Sequence, residues 1–174
     1  KGKRPVTKFW TFEEFKKVLA TFDLTDYEDL HRYTTTWLYY MTGVRVSEEF
    51  ALLWSDYDKE NKKLFVHATL EALKGGIYKR KEQTKTEAGV RFVDLDDETV
   101  KVLEHWREVQ ISNSDDDFIL SKFGKPMVKS TLTRMLKRHA KLAGIPEITG
   151  KGLRHSHDSF MINVLKKDVL SVSQ

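Results

Sequence analysis

Apolar side chains recur at two different spacings along this chain, and the change between them most constrains its fold. In residues 12–22, FEEFKKVLATF, they recur at the spacing of one helix face. Residues 26–41 form a second helical stretch, and the helical period returns from Asp96 onward. Short alternating segments between them favour two or three antiparallel strands, at residues 62–68, 76–86 and 89–95. This order predicts an α+β, mainly helical domain, with helices around a small three-stranded antiparallel sheet.

Helix and turn boundaries follow from capping residues and glycines. Thr11 and Glu14 have the spacing of a capping box at the start of the first helix. Gly43 breaks the second helix, and Gly144 ends a later one just before Pro146. The remaining predicted boundaries are Ser47 as the N-cap of a short helix closed by residues 52–54, turns at residues 75–76 and 86–89, Ser130 as the N-cap of a helix ending at Gly144, and Gly152 as the approximate start of the last helix.

Composition excludes several classes of protein. The 174 residues are enough for one domain, and the apolar fraction of 40% with 32% charged residues is typical of a soluble globular protein. No cysteine is present, which excludes disulfides, thiolate zinc sites and cysteine nucleophiles. No apolar run approaches the ~18 residues of a membrane span, and the basic N-terminus lacks the apolar stretch of a signal peptide. A net charge of +4 permits a nucleic-acid partner without establishing one.

Residues 148–160, ITGKGLRHSHDSF, concentrate cations and imidazoles at the predicted start of the last helix. The free N–H groups and positive dipole end of a helix N-terminus favour an anion. Arg154 adds a planar fork that can bind two phosphate oxygens, and Lys151 can lie on the same side. Taken singly, either residue is more simply interpreted as a carbonyl cap or a solvated cation. Together they favour a phosphate site, because such cations repel one another unless an anion lies between them.

Three other chemistries fit this motif poorly. His155 and His157 are two positions apart, do not share a helix face and have no third metal ligand nearby. The glycines 144 and 150 are separated by one residue too many for a nucleotide-binding P-loop, and Gly152 stands where that loop needs Ser or Thr. No GxSxG nucleophile elbow occurs in the chain, which excludes that class of serine hydrolase.

Two more cations lie where loops can present them to a ligand. Arg45, in TGVRVSE, stands between a glycine break and a helix start, so its guanidinium can point out of the loop. Lys85, in QTKTEAG, lies at the tip of a predicted basic hairpin, which can reach a ligand while the sheet stays fixed. Each could also be an ordinary solvated cation, and the hairpin lysine is one of several.

Three sequence blocks together resemble the motifs of the tyrosine recombinases, the phage-integrase family: TGVRVSEEFALLWSDYD, TKTEAGVRFVDL and ITGKGLRHSHDSF, in that order. The resemblance covers nearly the whole chain, from FWTFEEF to its end. It implies a helical catalytic domain that cuts and rejoins DNA through a 3′-phosphotyrosine, with neither a metal nor another cofactor. The family's first arginine falls on Arg45, its hairpin lysine on Lys85 and its second arginine on Arg154, while Lys151 stands where the family usually has histidine.

The resemblance implies a role for each of these four residues. Arg45 and Arg154 would hold the non-bridging oxygens of the scissile phosphate, where negative charge develops in the transition state. Lys85 would give a proton to the leaving 5′-oxygen. Lys151 would assist proton transfer near the nucleophile or hold a phosphate oxygen.

Tyrosine positions depart from the family's pattern. All six, at positions 27, 33, 39, 40, 57 and 78, precede Arg154, whereas the family's nucleophilic tyrosine follows its second arginine. Residues 1–174 are therefore expected to be a truncated catalytic domain that lacks both an N-terminal DNA-clamping domain and the C-terminal nucleophile segment. Such a fragment is expected to be inactive alone.

The function implied is site-specific recombination, the integration or excision of a phage or mobile element. The partner would be double-stranded DNA in the bacterial cytoplasm, with self-association into a tetrameric synapse and no membrane. A non-catalytic DNA-binding module of the same fold and a helical scaffold without DNA affinity are the alternatives. The other cations predicted to contact the DNA backbone are Lys74, Lys79, Arg80, Lys81, Arg91, Lys125, Lys129, Arg134, Lys137 and Arg138.

Overall fold

Helices at both ends of the chain enclose a small β region in the computed structural model, which describes residues 8–84, 86 and 89–172, with side chains up to residue 166. The helices are α1 (Phe12–Leu19), α2 (Tyr27–Thr42), α3 (Val46–Ala51), α4 (Asp97–Val109), α5 (Lys129–Ala143) and α6 (Gly150–Val172), with a 3-10 turn at Trp54–Asp56. The strands are β1 (Tyr57–Asp58), β2 (Lys63–Val66), β3 (Ala68–Leu73), β4 (Ile77–Glu82), β5 (Arg91–Asp94), β6 (Ser121–Lys122) and β7 (Lys125–Pro126).

The predicted fold class is confirmed, but the strands pair differently from the simplest expectation. The three-stranded antiparallel sheet has the order β1-β2-β5. Of the strand predicted at residues 76–86, the part that forms β4 does not join it, because β4 pairs instead with β3 in a separate hairpin that runs from Ala68 opposite Glu82 to Leu73 opposite Ile77. The turn at Gly75 and Gly76 is where the sequence predicts it, and both glycines have positive φ.

Helix α2 lies between two hydrophobic clusters and contributes to both. On one side Tyr39 and Tyr40 pack with residues of α1, α5 and α6, and the Tyr40 ring stacks on Phe15 with centroids 3.8 Å apart. On the other side Leu38 packs against the sheet and α4, including the buried Trp106. A helix that is apolar on most of its circumference is a buried one, and α2 is the central element of the domain.

Several helix boundaries are as predicted. The Thr11 hydroxyl accepts a hydrogen bond from the Glu14 N–H at 3.2 Å, and the Glu14 carboxylate accepts one from the Thr11 N–H at 3.0 Å. Gly43 and Gly144 end α2 and α5 in the left-handed conformation, with φ of 66° and 70°.

Two predicted helix N-caps were wrong, and the last helix begins two residues before its approximate predicted start. Helix α3 begins at Val46 rather than at Ser47, because the Glu48 carboxylate accepts a hydrogen bond from the Arg45 N–H and makes Arg45 the N-cap. Helix α5 begins at Lys129, with Val128 as its N-cap, so Ser130 lies inside the first turn. Helix α6 begins at Gly150 instead of Gly152, since the preceding Thr149 accepts hydrogen bonds from the first turn.

Over the ranges given above, no helix is both long and apolar enough to cross a membrane.

Candidate active site

The first turns of α6 pack directly on the junction between α2 and α3. The imidazole of His157 fills the space beside Gly43, where an added Cβ would lie 2.3 Å from the ring. His157 Nδ1 also lies 2.7 Å from the Tyr40 carbonyl oxygen and donates to it, since a carbonyl only accepts. A Cβ on Gly150 would come within 2.7 Å of Val46. These contacts bring together two segments that are far apart in sequence.

The two predicted phosphate-binding arginines belong to those adjoining segments. Arg45 is the residue before Val46, and Arg154 lies on α6 between Gly150 and His157. Arg45 is thus the N-cap of α3, and Arg154 lies in the second turn of α6, one turn from an N-terminus whose unpaired N–H groups and dipole favour an anion. Burial lowers the pKa of His157, and the nearby positive charge of Arg154 lowers it further. The imidazole is thus neutral at pH 7 and acts as a spacer between the elements.

Arg45 is held by a buried carboxylate that the sequence interpretation missed. Glu48 is 2% exposed, and its Oε1 accepts the Arg45 backbone N–H at 2.9 Å. Its two oxygens also accept the Arg91 guanidinium, at 2.9 and 3.1 Å. Burial alone would raise the pKa of Glu48, but these hydrogen bonds and the charges of Arg91 and Arg45 lower it below its usual value. A carboxylate three residues after an arginine at a helix start is the signal that points to it.

The side chain of Arg45 is exposed, as is that of Lys151, and Arg154 is half-buried. In the part of the chain whose side chains are described, none of these three cations forms an ion pair. Cations on two adjoining segments that form no ion pair among the described residues are suited to binding an anion.

The fourth predicted catalytic residue, Lys85, lies outside the described residues. Up to Thr84, however, the hairpin that leads to it is tied to the rest of the domain. Arg80 donates from Nε to the Ala51 carbonyl at 2.8 Å and from Nη2 to Asp56 at 3.2 Å, and Asp56 in turn contacts His67 at 2.7 Å. This network fixes the hairpin to the end of α3.

Two groups emerge among the residues predicted to contact DNA. Arg80 and Arg91 have the internal partners described above, so their guanidinium groups already serve the fold. The other eight have exposed side chains that form no ion pair with the residues described: Lys74, Lys79, Lys81, Lys125, Lys129, Arg134, Lys137 and Arg138. A cavity of about 390 Å³ between α3, the β3–β4 hairpin and the start of α5 connects this surface to the neighbourhood of Arg45.

Most tyrosine hydroxyls are engaged or buried. The Tyr40 hydroxyl donates to the Trp10 carbonyl at 3.3 Å, and the Tyr27 hydroxyl accepts the Ile111 N–H at 3.1 Å. The hydroxyls of Tyr39 and Tyr57 are buried. Burial raises the pKa of Tyr40 and of Tyr57 to about 12, the opposite of what a nucleophile needs.

Comparisons with known proteins identify the family of the chain. Residues 8–165 match the sequence profile of the phage integrase family. The chain is 30% identical over 168 residues to the ICEBs1 integrase of Bacillus subtilis (strain 168), covering 92% of this chain and 44% of that protein. It is 27% identical over 145 residues to the integrase of Staphylococcus phage L54a, covering 75% of this chain and 40% of the relative. The chain thus spans less than half the length of these curated relatives.

Solved structures share the fold. The Tn1549 transposon integrase in complex with a circular intermediate DNA superposes with a TM-score of 0.77 at 20% identity, over 93% of this chain and 55% of that one. The XerA recombinase superposes with a TM-score of 0.68 at 23% identity, over 92% of this chain and 52% of that one. With a profile match over residues 8–165 and 30% identity to the ICEBs1 integrase over 92% of its length, the chain belongs to the phage integrase family of tyrosine recombinases.

Proposed function

We propose that the whole protein is a site-specific DNA recombinase that integrates or excises a phage or mobile element. The observation that carries the proposal is the packing of the start of α6 on the α2–α3 junction, which brings the segments of Arg45 and Arg154 together. Similarity to the ICEBs1 and phage L54a integrases supports the same class of reaction.

In the proposed reaction, a tyrosine oxygen attacks the scissile phosphorus, and the bond from phosphorus to the 5′-oxygen breaks. The products are a 3′-phosphotyrosine and a free 5′-hydroxyl. Arg45 and Arg154 donate parallel hydrogen bonds to the non-bridging oxygens, where charge builds up. Lys85 gives the proton that the 5′-oxygen takes up, and Lys151 assists removal of the tyrosine proton or holds a phosphate oxygen.

The nucleophilic tyrosine, in this proposal, comes from a part of the whole protein outside this sequence. Support comes from the tyrosines of the chain itself, because the hydroxyls of Tyr27, Tyr39, Tyr40 and Tyr57 are buried or already hydrogen-bonded. The chain would then supply the residues that activate the phosphate, and it would not cut DNA alone.

The substrate is double-stranded DNA held mainly by its phosphates. Eight exposed cations, from Lys74 to Arg138, form no ion pair with the residues described, and they are suited to that contact because backbone binding needs charge and reach more than fixed geometry. Self-association on DNA in a tetrameric synapse and a site of action in the bacterial cytoplasm belong to the same proposal.

Single-turnover cleavage of a suicide substrate by the whole protein tests the phosphate clamp. Arg45→Ala and Arg154→Ala should each slow cleavage by roughly a hundred- to a thousandfold, the usual effect of losing one such donor. Lys141 is an exposed lysine near the C-terminus of α5, and Lys141→Ala is the matched control, which should cleave at the normal rate. Cleavage at the normal rate by either arginine variant would refute the shared-phosphate role.

The isolated chain provides a separate test of the nucleophile. Incubated with supercoiled plasmid, it should produce no nicked product, because no tyrosine of the chain serves as nucleophile. Nicking by the pure chain would require a different nucleophile and would overturn this part of the proposal.

A further inference from the structure

Residues 8–10, which we call the lead-in segment, lie across the first turns of α6. The Trp10 backbone N–H donates to the Ser156 hydroxyl at 2.7 Å, in a buried contact between residues 146 positions apart. The Trp10 indole N–H donates to the Pro146 carbonyl at 2.8 Å, just before α6 begins. The lead-in segment is therefore fastened on both sides of the α6 N-terminus.

Ser156 connects the lead-in segment to the turn that carries Arg154. Its side chain is fully buried, and its hydroxyl donates to the Gly152 carbonyl at 2.6 Å while it accepts from Trp10. Both capacities of one hydroxyl are thus used. Gly152 and Ser156 lie two positions before and two positions after Arg154, so this hydroxyl braces the backbone on either side of the arginine.

Gly152 allows the lead-in segment to approach this closely. A Cβ at that position would lie 2.7 Å from the Lys8 carbonyl oxygen and 2.7 Å from the Ile148 Cβ. Because neither a backbone carbonyl nor a Cβ can move aside cheaply, only glycine fits between them. Residue 8 is consequently in direct contact with the helix turn that leads to Arg154.

Trp10 is itself fixed from the opposite side. It is fully buried, and its carbonyl accepts the Tyr40 hydroxyl at 3.3 Å, so its backbone N–H, its carbonyl and its indole N–H all have partners. Beside it, the ring of Phe9 packs edge-on against His155 at 5.0 Å. Three fixed polar groups on one buried residue make it a rigid anchor.

We propose that Trp10 and Ser156 are positioning residues that hold Arg154 at the distance from the scissile phosphate that charge stabilisation in the transition state requires. This inference rests on the proposed function of Arg154. A guanidinium that stabilises developing charge must stay within a fraction of an ångström of its position, and a displacement of about 1 Å can cost about a hundredfold in rate. Trp10 and Ser156 themselves touch neither substrate nor phosphate.

This role is tested by comparing how fast the whole protein cleaves a charged and a neutral scissile group. Single-turnover cleavage is measured on two suicide substrates, one with the normal scissile phosphodiester and one with a methylphosphonate there, which lacks one charged non-bridging oxygen. A misplaced arginine matters less for the neutral substrate because less charge needs stabilising. The ratio of the two rates does not depend on how much of a variant is folded, so it separates positioning from loss of stability.

Ser156→Ala removes the bracing hydroxyl and adds no volume. It should slow phosphodiester cleavage about ten- to a hundredfold and methylphosphonate cleavage less than threefold. Trp10→Phe should show the same preference for slowing the phosphodiester, with a smaller effect on its rate. Thr34→Ala is the matched control, since it removes another buried hydroxyl that donates to a helix carbonyl, at 2.8 Å, and it should leave the ratio unchanged.

The outcomes are distinguishable. If Ser156→Ala slows both substrates equally, or slows neither, the positioning role of Ser156 is overturned, while the proposed role of Arg154 in binding the phosphate is unaffected. Arg154→Ala must itself show the charge-specific pattern. If it does not, the proposed function of the arginine fails together with the inference that rests on it.

Discussion

At the scale of single residues, the pKa values of two neighbouring carboxyl groups on α3 are shifted in opposite directions. Glu48 is buried but charged, because Arg91 and the Arg45 N–H hydrogen-bond to it. Glu49 is fully buried beside Tyr39, and burial raises its pKa well above the usual value. The first residue fixes the Arg45 loop by its charge, whereas the second behaves as a neutral side chain of the core.

The lowered pKa of Glu48 predicts a loss of stability in acid. Glu48 contributes to folding stability above its ordinary pKa of 4.5, and this contribution is lost as the pH falls through the lower pKa of the folded state. Glu48→Gln should lower the free energy of unfolding by about 2 kcal/mol at pH 7 and by less at pH 3. Urea denaturation at both pH values measures this. Glu98→Gln, which breaks an exposed pair with Lys101, is the control and should change little.

The pH dependence of stability is predicted to have the opposite sign for Glu49. The folded state keeps its proton while the unfolded state ionises above 4.5, so stability falls as the pH rises, by at most about 1.4 kcal/mol per pH unit for one proton. Glu49→Gln should remove this slope between pH 5 and pH 8. Denaturation curves at several pH values measure it, and an unchanged slope would mean that Glu49 is ionised in the fold.

Lys151 is predicted to substitute for the histidine usual in the family. A lysine ammonium can donate a hydrogen bond to a phosphate oxygen, as a histidine imidazolium does. In the whole protein, Lys151→His should keep substantial single-turnover cleavage, while Lys151→Ala should lose about a hundredfold. If the alanine variant cleaves at the parent rate, Lys151 is a solvated residue of the first turn of α6 that lies outside the site.

At the scale of elements, the site depends on how α6 packs on α2 and α3. Glycines at positions 43 and 150 make room for His157 and Val46, so the close approach is built into the sequence of all three helices. The Asp56, His67 and Arg80 network likewise joins the β3–β4 hairpin to α3. The candidate site is thus a property of the contacts between elements more than of any one of them.

A pair of glycines tests the packing of α6. Gly43→Ala and Gly144→Ala place the same side chain at nearly the same positive φ, which costs about 1–2 kcal/mol in each case. Of the two, only Gly43 would clash, with its new Cβ 2.3 Å from His157, whereas no described residue lies within 4 Å of a Cβ at Gly144. Gly43→Ala should therefore lose about 1–3 kcal/mol more. Denaturant unfolding of both variants measures the difference, and equal losses would contradict the packing.

The sequence predicted elements that local chemistry determines and missed those that depend on distant partners. The Thr11 capping box and the glycine stops at positions 43 and 144 involve residues within a few positions of each other, and all three are confirmed. The start of α3 was predicted wrongly at Ser47, because the competing cap Glu48 is held by Arg91, 43 positions away. Strand β3 was missed for the same reason: its partner, not its own pattern, defines it.

Among the candidate site residues, too, the sequence indicated those that lie in a local motif and missed the internal partners that are distant in sequence. The sequence indicated Arg45, Lys151 and Arg154 because each lies in a recognisable block. It could not reveal that Arg80 and Arg91 have internal carboxylate partners, since an arginine in a basic hairpin looks alike whether it faces DNA or Asp56.

At the scale of the whole molecule, exposed cations on the β3–β4 hairpin, the β6–β7 turn and α5 predict how the chain meets DNA. The isolated chain should bind duplex DNA weakly, with affinity that falls steeply as salt is raised, because released counterions drive the association. Fluorescence anisotropy between about 50 and 200 mM salt measures the slope. Absence of binding at low salt would support a scaffold without DNA affinity.

Individual contacts can be counted in the same assay. Lys129→Ala and Arg134→Ala should each reduce the salt slope by about one if the residue contacts a phosphate. Lys16→Ala serves as the control, because Lys16 pairs with Glu13 on α1 and is not among the predicted contacts. An unchanged slope in both α5 variants would remove this helix from the interface.

The contacts that assemble the site join parts of the chain that are made at different times. Trp10 meets Ser156 across 146 positions, and Tyr40 meets His157 across 117. Contacts of such separation form late in folding, because closing a long loop costs entropy before the contact repays it. During synthesis from the N-terminus, Arg45 leaves the ribosome more than a hundred residues before Arg154 does. A partly synthesised chain therefore carries Arg45 without Arg154, so the proposed phosphate clamp cannot form until α6 has been made.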